Sequence, residues 1–192
     1  MGVLDELELL EPANRAEWRA WLARNADSAA SIWLAIGKKG GAVTTLTYEQ
    51  AVEEALCFGW IDSTVRKLDD ARYKQLFSRR KPRSTWSRIN KERVARLEAE
   101  GKMAPAGLAT IELAKQNGSW STLDHVENLI VPNDLAQALA SNPIALENFE
   151  AFAPSARKVF LYWIANVKRA EKRAERIAET VRRAAEGRRL TD

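Results

Sequence analysis

Between Glu54 and Asn90 the chain gathers carboxylates, guanidiniums and indoles at a spacing that could form one site: Glu54, Trp60, Asp62, Arg80, Arg83, Trp86, Ser87 and Asn90. Arginine offers charge and a planar fork for an anion, tryptophan a stacking surface, and serine and asparagine directional hydrogen bonds. A small anionic or planar ligand suits that set. The same residues admit an enzyme reading, with Glu54 or Asp62 as general base beside Arg83, which requires a pocket and a raised carboxyl pKa. They also admit a structural reading: Trp60 and Trp86 as core, Asp62 paired with Arg80 or Arg83, and Ser87 as a helix cap.

The remaining residue types exclude several chemistries. His125 is the one histidine, so metal sites built on two or three histidines are excluded, and a Ser-His-Asp triad would rest on this residue alone. It reads as a surface or capping histidine. Cys57, also single, excludes an intrachain disulfide and a multi-cysteine zinc site, and its place between Leu56 and Phe58 suits a small buried hydrophobe. No G-x-S-x-G or G-x-G-x-x-G occurs, and Gly37 to Gly41 lacks phosphate-loop spacing and reads as a flexible basic turn. No cofactor and no metal are expected.

The elements that must position the first set are legible from caps and periods. Thr47 and Gln50 have capping-box spacing, Leu46 can staple onto Ala51, and Val52, Ala55 and Leu56 form an apolar stripe that Gly59 ends. From Trp60 the period becomes alternating: Ile61, Ser63 and Val65 on one face, Asp62, Thr64 and Arg66 on the other, then Tyr73, Gln75 and Phe77. A loop from Leu68 to Asp70 would pair Val65 with Tyr73 and Ile61 with Phe77, making the apolar faces of a hairpin coincide. The run SIWLAI from Ser31 to Ile36 reads as a strand buried on both faces that could join the hairpin in a sheet of about three strands.

Helices surround these strands. Asn14 and Glu17 cap a first helix with Trp18, Trp21 and Leu22 on its stripe. Ser84 or Ser87 caps a helix through Ile89, Val94 and Leu97 to Gly101, and Pro105 opens another with Leu108, Ile111 and Ala114 on its face, ending at Asn117-Gly118. Residues 119–132 read as a connector, followed by short helices from about Asn133 to Ala140 and Pro143 to Phe152 and a last section opened by Pro154. Phe160, Trp163, Val167, Ala170, Ala174, Ile177, Val181 and Ala184 recur by threes and fours. With so many alanines this is a weak coiled-coil seam, and two helices broken near Ala170, each laying a face on the main domain, is the preferred reading.

Net charge is +4, unevenly placed. Residues 66–93 carry 11 basic and 3 acidic side chains and residues 157–189 carry 11 and 4, on a chain that is otherwise acidic. Two basic regions suggest surfaces for anions. Interleaving with Tyr73, Phe77 and Trp86 also resembles a weak single-strand nucleic-acid surface. No stretch approaches the roughly 18–20 apolar residues of a membrane span. The acidic start lacks the basic region of a secretory signal, and Glu6 stands where a myristoylation motif needs Ser or Thr. A cytoplasmic location is expected.

ALCFGWID at 55–62, FSRRKPRSTWSRIN at 77–90 and GKMAPAGLATIELAKQNGSW at 101–120 resemble the YdeI/OmpD-associated family, also labelled bacteriocin-protection proteins. The resemblance runs from about Trp33 to Leu190, with Ser78-Arg79 standing where the family pattern has Thr-Pro. It implies a stress or protection role.

The expectation is therefore an α+β protein: a small antiparallel sheet of one strand plus a β-hairpin packed by helices, in a core domain over 1–120, with a C-terminal helical section over 133–190 docked on it. Its expected role is to bind a small anionic ligand or a protein partner. Nucleic acid is not the expected partner.

Overall fold

The computed structural model describes residues 6–38, 44–167 and 169–192. The basic turn read at Gly37 to Gly41 lies largely outside the described residues, as does Gly2 of the myristoylation motif. The chain divides into two compact units, one ending at Ser121 and one running from Thr122 to Asp192. The architecture is α+β.

In the first unit, α1 (Arg15–Asn25) starts where Asn14 accepts a hydrogen bond from the Glu17 amide at 3.0 Å, while Glu17 accepts one from Ala13 N. Helix α2 (Tyr48–Cys57) starts at a complete capping box between Thr47 and Gln50. Strand β2 (Ser31–Gly37) is buried throughout its middle. Ile32, Leu34 and Ile36 enter one core with Trp18, Leu22, Val52, Leu56, Trp60 and Phe77. Trp33 and Ala35, which alternate with them, are buried on the opposite face. This is why the run reads as continuously apolar rather than alternating.

The sheet holds four strands in the order β1-β2-β4-β3, where β1 is Leu9–Leu10, β3 is Trp60–Lys67 and β4 is Arg72–Arg79. Strand β1 runs parallel to β2 and is an addition to the expected three, because two residues show no period. The hairpin exists, but its register differs from the expectation. Lys67 opposes Tyr73 and Val65 opposes Gln75, whereas Asp62 opposes Phe77 and Trp60 opposes Arg79. The ladder is irregular between Asp62 and Val65, where the Gln75 side-chain amide donates to the Ser63 carbonyl at 3.1 Å. An extra residue there reverses the parity of the strand. Asp62 lies on the same face as Trp60 and Phe77, and beyond the irregularity Val65, opposite Gln75, returns to that face but is exposed.

Two glycines allow close approach. Gly59 ends α2 with φ +76° and lies against Thr110 of α4 (Pro105–Gln116). A Cβ on Gly107 would sit 2.2 Å from the Cys57 carbonyl oxygen, so α4 crosses the end of α2 at backbone distance. That contact puts Gly107 in the buried face with Ile111 and Ala114, and leaves Leu108, expected there, exposed. Helix α3 (Arg88–Ala99) is capped by Ser87 rather than Ser84 and buries Val94 and Leu97.

The second unit is helical and has its own core. It comprises α5 (Asp124–Glu127), α6 (Asn133–Ala140), α7 (Pro143–Ala151), α8 (Pro154–Ala165) and α9 (Ala170–Ala185). Helix α5 falls inside the expected connector. Pro143 and Pro154 each occupy a first helical turn, where the missing N–H costs nothing. Leu135, Leu139, Phe149, Phe160, Leu161, Ile164, Ile177 and Ala184 pack together. The break between α8 and α9 lies where the sequence placed it, but Ala170 and Ala174 are exposed, so the eight-residue repeat is not one buried seam. Among the described residues no helix is long and apolar enough to cross a membrane.

Candidate anion site

Among the described residues Glu54 makes no hydrogen bond or ion pair with the loop residues expected to join it. It is buried on α2, where its carboxylate accepts from Arg15 Nε at 2.5 Å and Arg19 Nη1 at 2.6 Å. Glu53, buried beside it, pairs with Arg15 at 2.9 Å and with Arg96 of α3. Arg19 also donates to the Lys102 carbonyl at 2.8 Å and lies over the Phe58 ring. Two adjacent glutamates thus tie three helices through three arginines. Burial works against the charge of Arg15 and Arg19, but the hydrogen bonds and field of Glu54 outweigh it and raise both. Cys57, at the end of the same helix, is buried, and burial with the Glu54 charge pushes its thiol up, away from the nucleophilic thiolate.

Trp60 is fully buried, and its indole donates to the Ala26 carbonyl at 3.2 Å. Asp62 accepts from the Tyr48 hydroxyl at 2.8 Å. Burial and that hydrogen bond push Tyr48 up to about 12. The field of Asp62 reaches Arg80 and Arg93. Arg93 donates to Asn90 Oδ1 and to Glu49 Oε1, both at 2.8 Å, and Asn90 N donates to Ser87 Oγ at 3.4 Å. Contacts therefore join Arg80 to Trp86 and Ser87 to Asn90 and Arg93, whereas Glu54 and Trp60 serve the core. Arg83 is exposed and makes no hydrogen bond or ion pair with a described residue.

Arg80 is the unusual group. The residue is only 8% exposed and its guanidinium stacks on the buried Trp86 ring at 3.7 Å, and Trp86 packs against Trp120. Both terminal nitrogens donate to the Thr85 carbonyl at 3.3 Å, while Nε is buried without a hydrogen-bond partner among the described residues. No carboxylate of a described residue lies within ion-pair distance. Burial pushes Arg80 down to about 10, with Asp62 opposing the shift. The loop holding it is fixed: Arg80 N donates to the Gly59 carbonyl, Lys81 N to Ser84 Oγ, and Asn117 Nδ2 to the Pro82 carbonyl at 2.7 Å.

Arg80 lines a cleft of about 660 Å³ beside the end of β4, together with Arg79, Lys81, Asp27 and three serines, Ser28, Ser31 and Ser78. Arg79 donates to the Ala29 carbonyl at 3.0 Å, and neither it nor Lys81 has an ion-pair partner among the described residues. Sequence reasoning selected Arg80 but passed over Arg79, Lys81, Tyr48 and Arg93. The run SRRKPR, four of whose six residues are basic with no acid among them, was a usable signal for the first two. Nothing local marks Tyr48 or Arg93, which arrive from α2 and α3. Among the described residues no three His, Cys, Asp or Glu side chains group as metal ligands would.

The fold and the site define a two-unit α+β protein with a cationic cleft on its sheet-bearing unit. Residues 10–110 match the family described as Domain of unknown function (DUF8412), and the chain belongs to that family. Residues 128–187, the C-terminal part, match the family described as Bacteriocin-protection, YdeI or OmpD-Associated. The second match bears out the resemblance over a shorter span than Trp33 to Leu190, and the three motifs at 55–120 lie outside it. No curated protein and no solved structure matches the chain.

Proposed function

We propose that the sheet-bearing unit binds a small anionic ligand in the cleft at Arg79, Arg80 and Lys81, and that the chain works in the cytoplasm in a stress or protection role. The protective role is drawn from the description of the family matched at residues 128–187. The binding role rests on one observation: Arg80, its guanidinium stacked on Trp86, with no carboxylate partner among the described residues and an unpartnered Nε, lines an open cleft. A buried charge without a counter-ion is costly, and an anion in the cleft would remove that cost. Binding is favoured over proton abstraction by the carboxylates themselves. Glu54 accepts from two arginines, and Asp62 from Tyr48.

Thermal unfolding in inorganic phosphate, against chloride at matched ionic strength, tests this. A ligand at a hundred times its Kd stabilises by about 2.7 kcal/mol, and each kcal/mol shifts Tm by about 2–4 °C in a chain of this size. Wild type should show the shift and Arg80→Met should lose it. A shift kept in Arg80→Met, or none beyond chloride in wild type, overturns the reading. Single-strand oligonucleotide binding that survives physiological salt would replace it with the nucleic-acid alternative.

A further inference from the structure

The second unit contains a cavity unrelated to the cationic cleft. It measures about 450 Å³ and is formed where α5, α8 and α9 meet the C-terminal Leu190. Its walls are apolar: Val126 from α5, Val159, Tyr162 and Trp163 from α8, and Leu190. Val159 and Tyr162 remain 40% and 45% exposed, a large apolar surface left open to solvent on a helix whose opposite side is core. The tail that supplies Leu190 is held in place, since Arg183 Nη1 donates to the Arg189 carbonyl at 2.9 Å.

The polar groups at this cavity differ in how far they are satisfied. Lys158 is matched by Glu127 at 2.8 Å, so that pair contributes little net charge. Arg176 has no carboxylate within ion-pair distance among the described residues. It lies over the Trp163 ring at 4.9 Å and donates from Nη1 to the Trp163 carbonyl, which leaves its other N–H groups to be used. The volume falls within the roughly 300–1,000 Å³ of small-molecule sites, which are mostly apolar with a few placed polar groups. An apolar wall ending at one unmatched guanidinium is complementary to an apolar body ending in one negative charge.

We propose that this cavity binds a single-chain anionic amphiphile, with its chain between Val126, Val159, Tyr162 and Leu190 and its head group on Arg176. The site is independent of the cleft at Arg80.

Calorimetric titration of the full chain with decanoate, below its micellar concentration, tests the proposal. Decanoate should bind with a negative heat-capacity change, as burial of apolar surface requires, and decyltrimethylammonium, of equal chain length and opposite charge, should bind at least tenfold more weakly. Val159→Trp, which fills the cavity from an exposed position, should abolish decanoate binding. Arg176→Gln should weaken it about tenfold. Arg80→Met should leave it unchanged, so that failure here and failure of the cleft are read separately. The proposal is overturned if decanoate gives no heat, if the cationic amphiphile binds as well, or if a Val159→Trp chain with wild-type melting behaviour still binds decanoate.

Discussion

Two clusters of charge in the sheet-bearing unit use the same residue types to opposite ends. Around Glu53 and Glu54, Arg15, Arg19 and Arg96 meet carboxylates at close range, and three helices are joined. Around Arg80, among the described residues, there is no carboxylate at such a distance, only a ring beneath and a carbonyl at 3.3 Å. Arg15 also leaves one buried nitrogen, Nη2, without a hydrogen bond, but its charge is matched twice over. The orphaned nitrogen is therefore not what distinguishes Arg80. The missing counter-charge is. A closed ion cluster is architecture, whereas an open one has a place for something else.

The comparison can be broken at four points. Trp86→Ala removes the platform under Arg80 and a fully buried indole, and should cost about 3–5 kcal/mol in chemical denaturation. A loss under 1 kcal/mol would mean that the ring is not core. Glu54→Gln opens the closed cluster. Removing one partner of a buried pair costs about 3–5 kcal/mol, and because Arg15 and Arg19 keep some access to water the loss should fall near the lower figure. Arg80→Met should do the reverse, leaving stability within about 1 kcal/mol of wild type or above it, since an unmatched buried charge is replaced by an apolar chain. An equal loss in Arg80→Met and Glu54→Gln would erase the distinction between the clusters.

The smallest effect concerns acid. Hydrogen bonds from Arg93 hold Glu49 below the ordinary carboxylate range, with burial opposing. The folded state then releases the Glu49 proton more readily than the unfolded state. The stabilisation is complete above the unfolded pKa and disappears as pH falls through the folded one. For this half-exposed pair it is worth about 0–1 kcal/mol. Thermal melts from about pH 6 to about pH 3 should show Glu49→Gln converging on wild type at the acid end. A gap that widens on acidification would contradict the pairing.

Much of the scaffold was legible because it depends on local chemistry. The Thr47–Gln50 box, the Asn14 cap, the Gly59 turn and the proline starts of α7 and α8 are each decided within a few residues. The hairpin register was not, because the irregularity between Asp62 and Val65 has no local signature and reverses every face beyond it. Leu108 looked like a core residue until Gly107 proved to be the point at which two backbones touch. At the candidate site, Arg80 and Arg83 are the same residue type three positions apart on one loop. Only tertiary packing, which sets Trp86 beneath one and leaves the other in solvent, separates them.

The strand order β1-β2-β4-β3 has a consequence for self-association. It leaves β3, a strand from Trp60 to Lys67, at an edge of the sheet, with no further strand beside it among the described residues. Such an edge is a template on which a second chain can add its own strand and begin a fibre. The irregularity between Asp62 and Val65 interrupts that template midway, and Arg66 and Lys67 place two cations on its exposed end. The same extra residue that reverses the hairpin's faces thus also spoils the edge for a would-be partner strand, and the basic character of this region helps to keep the chains apart.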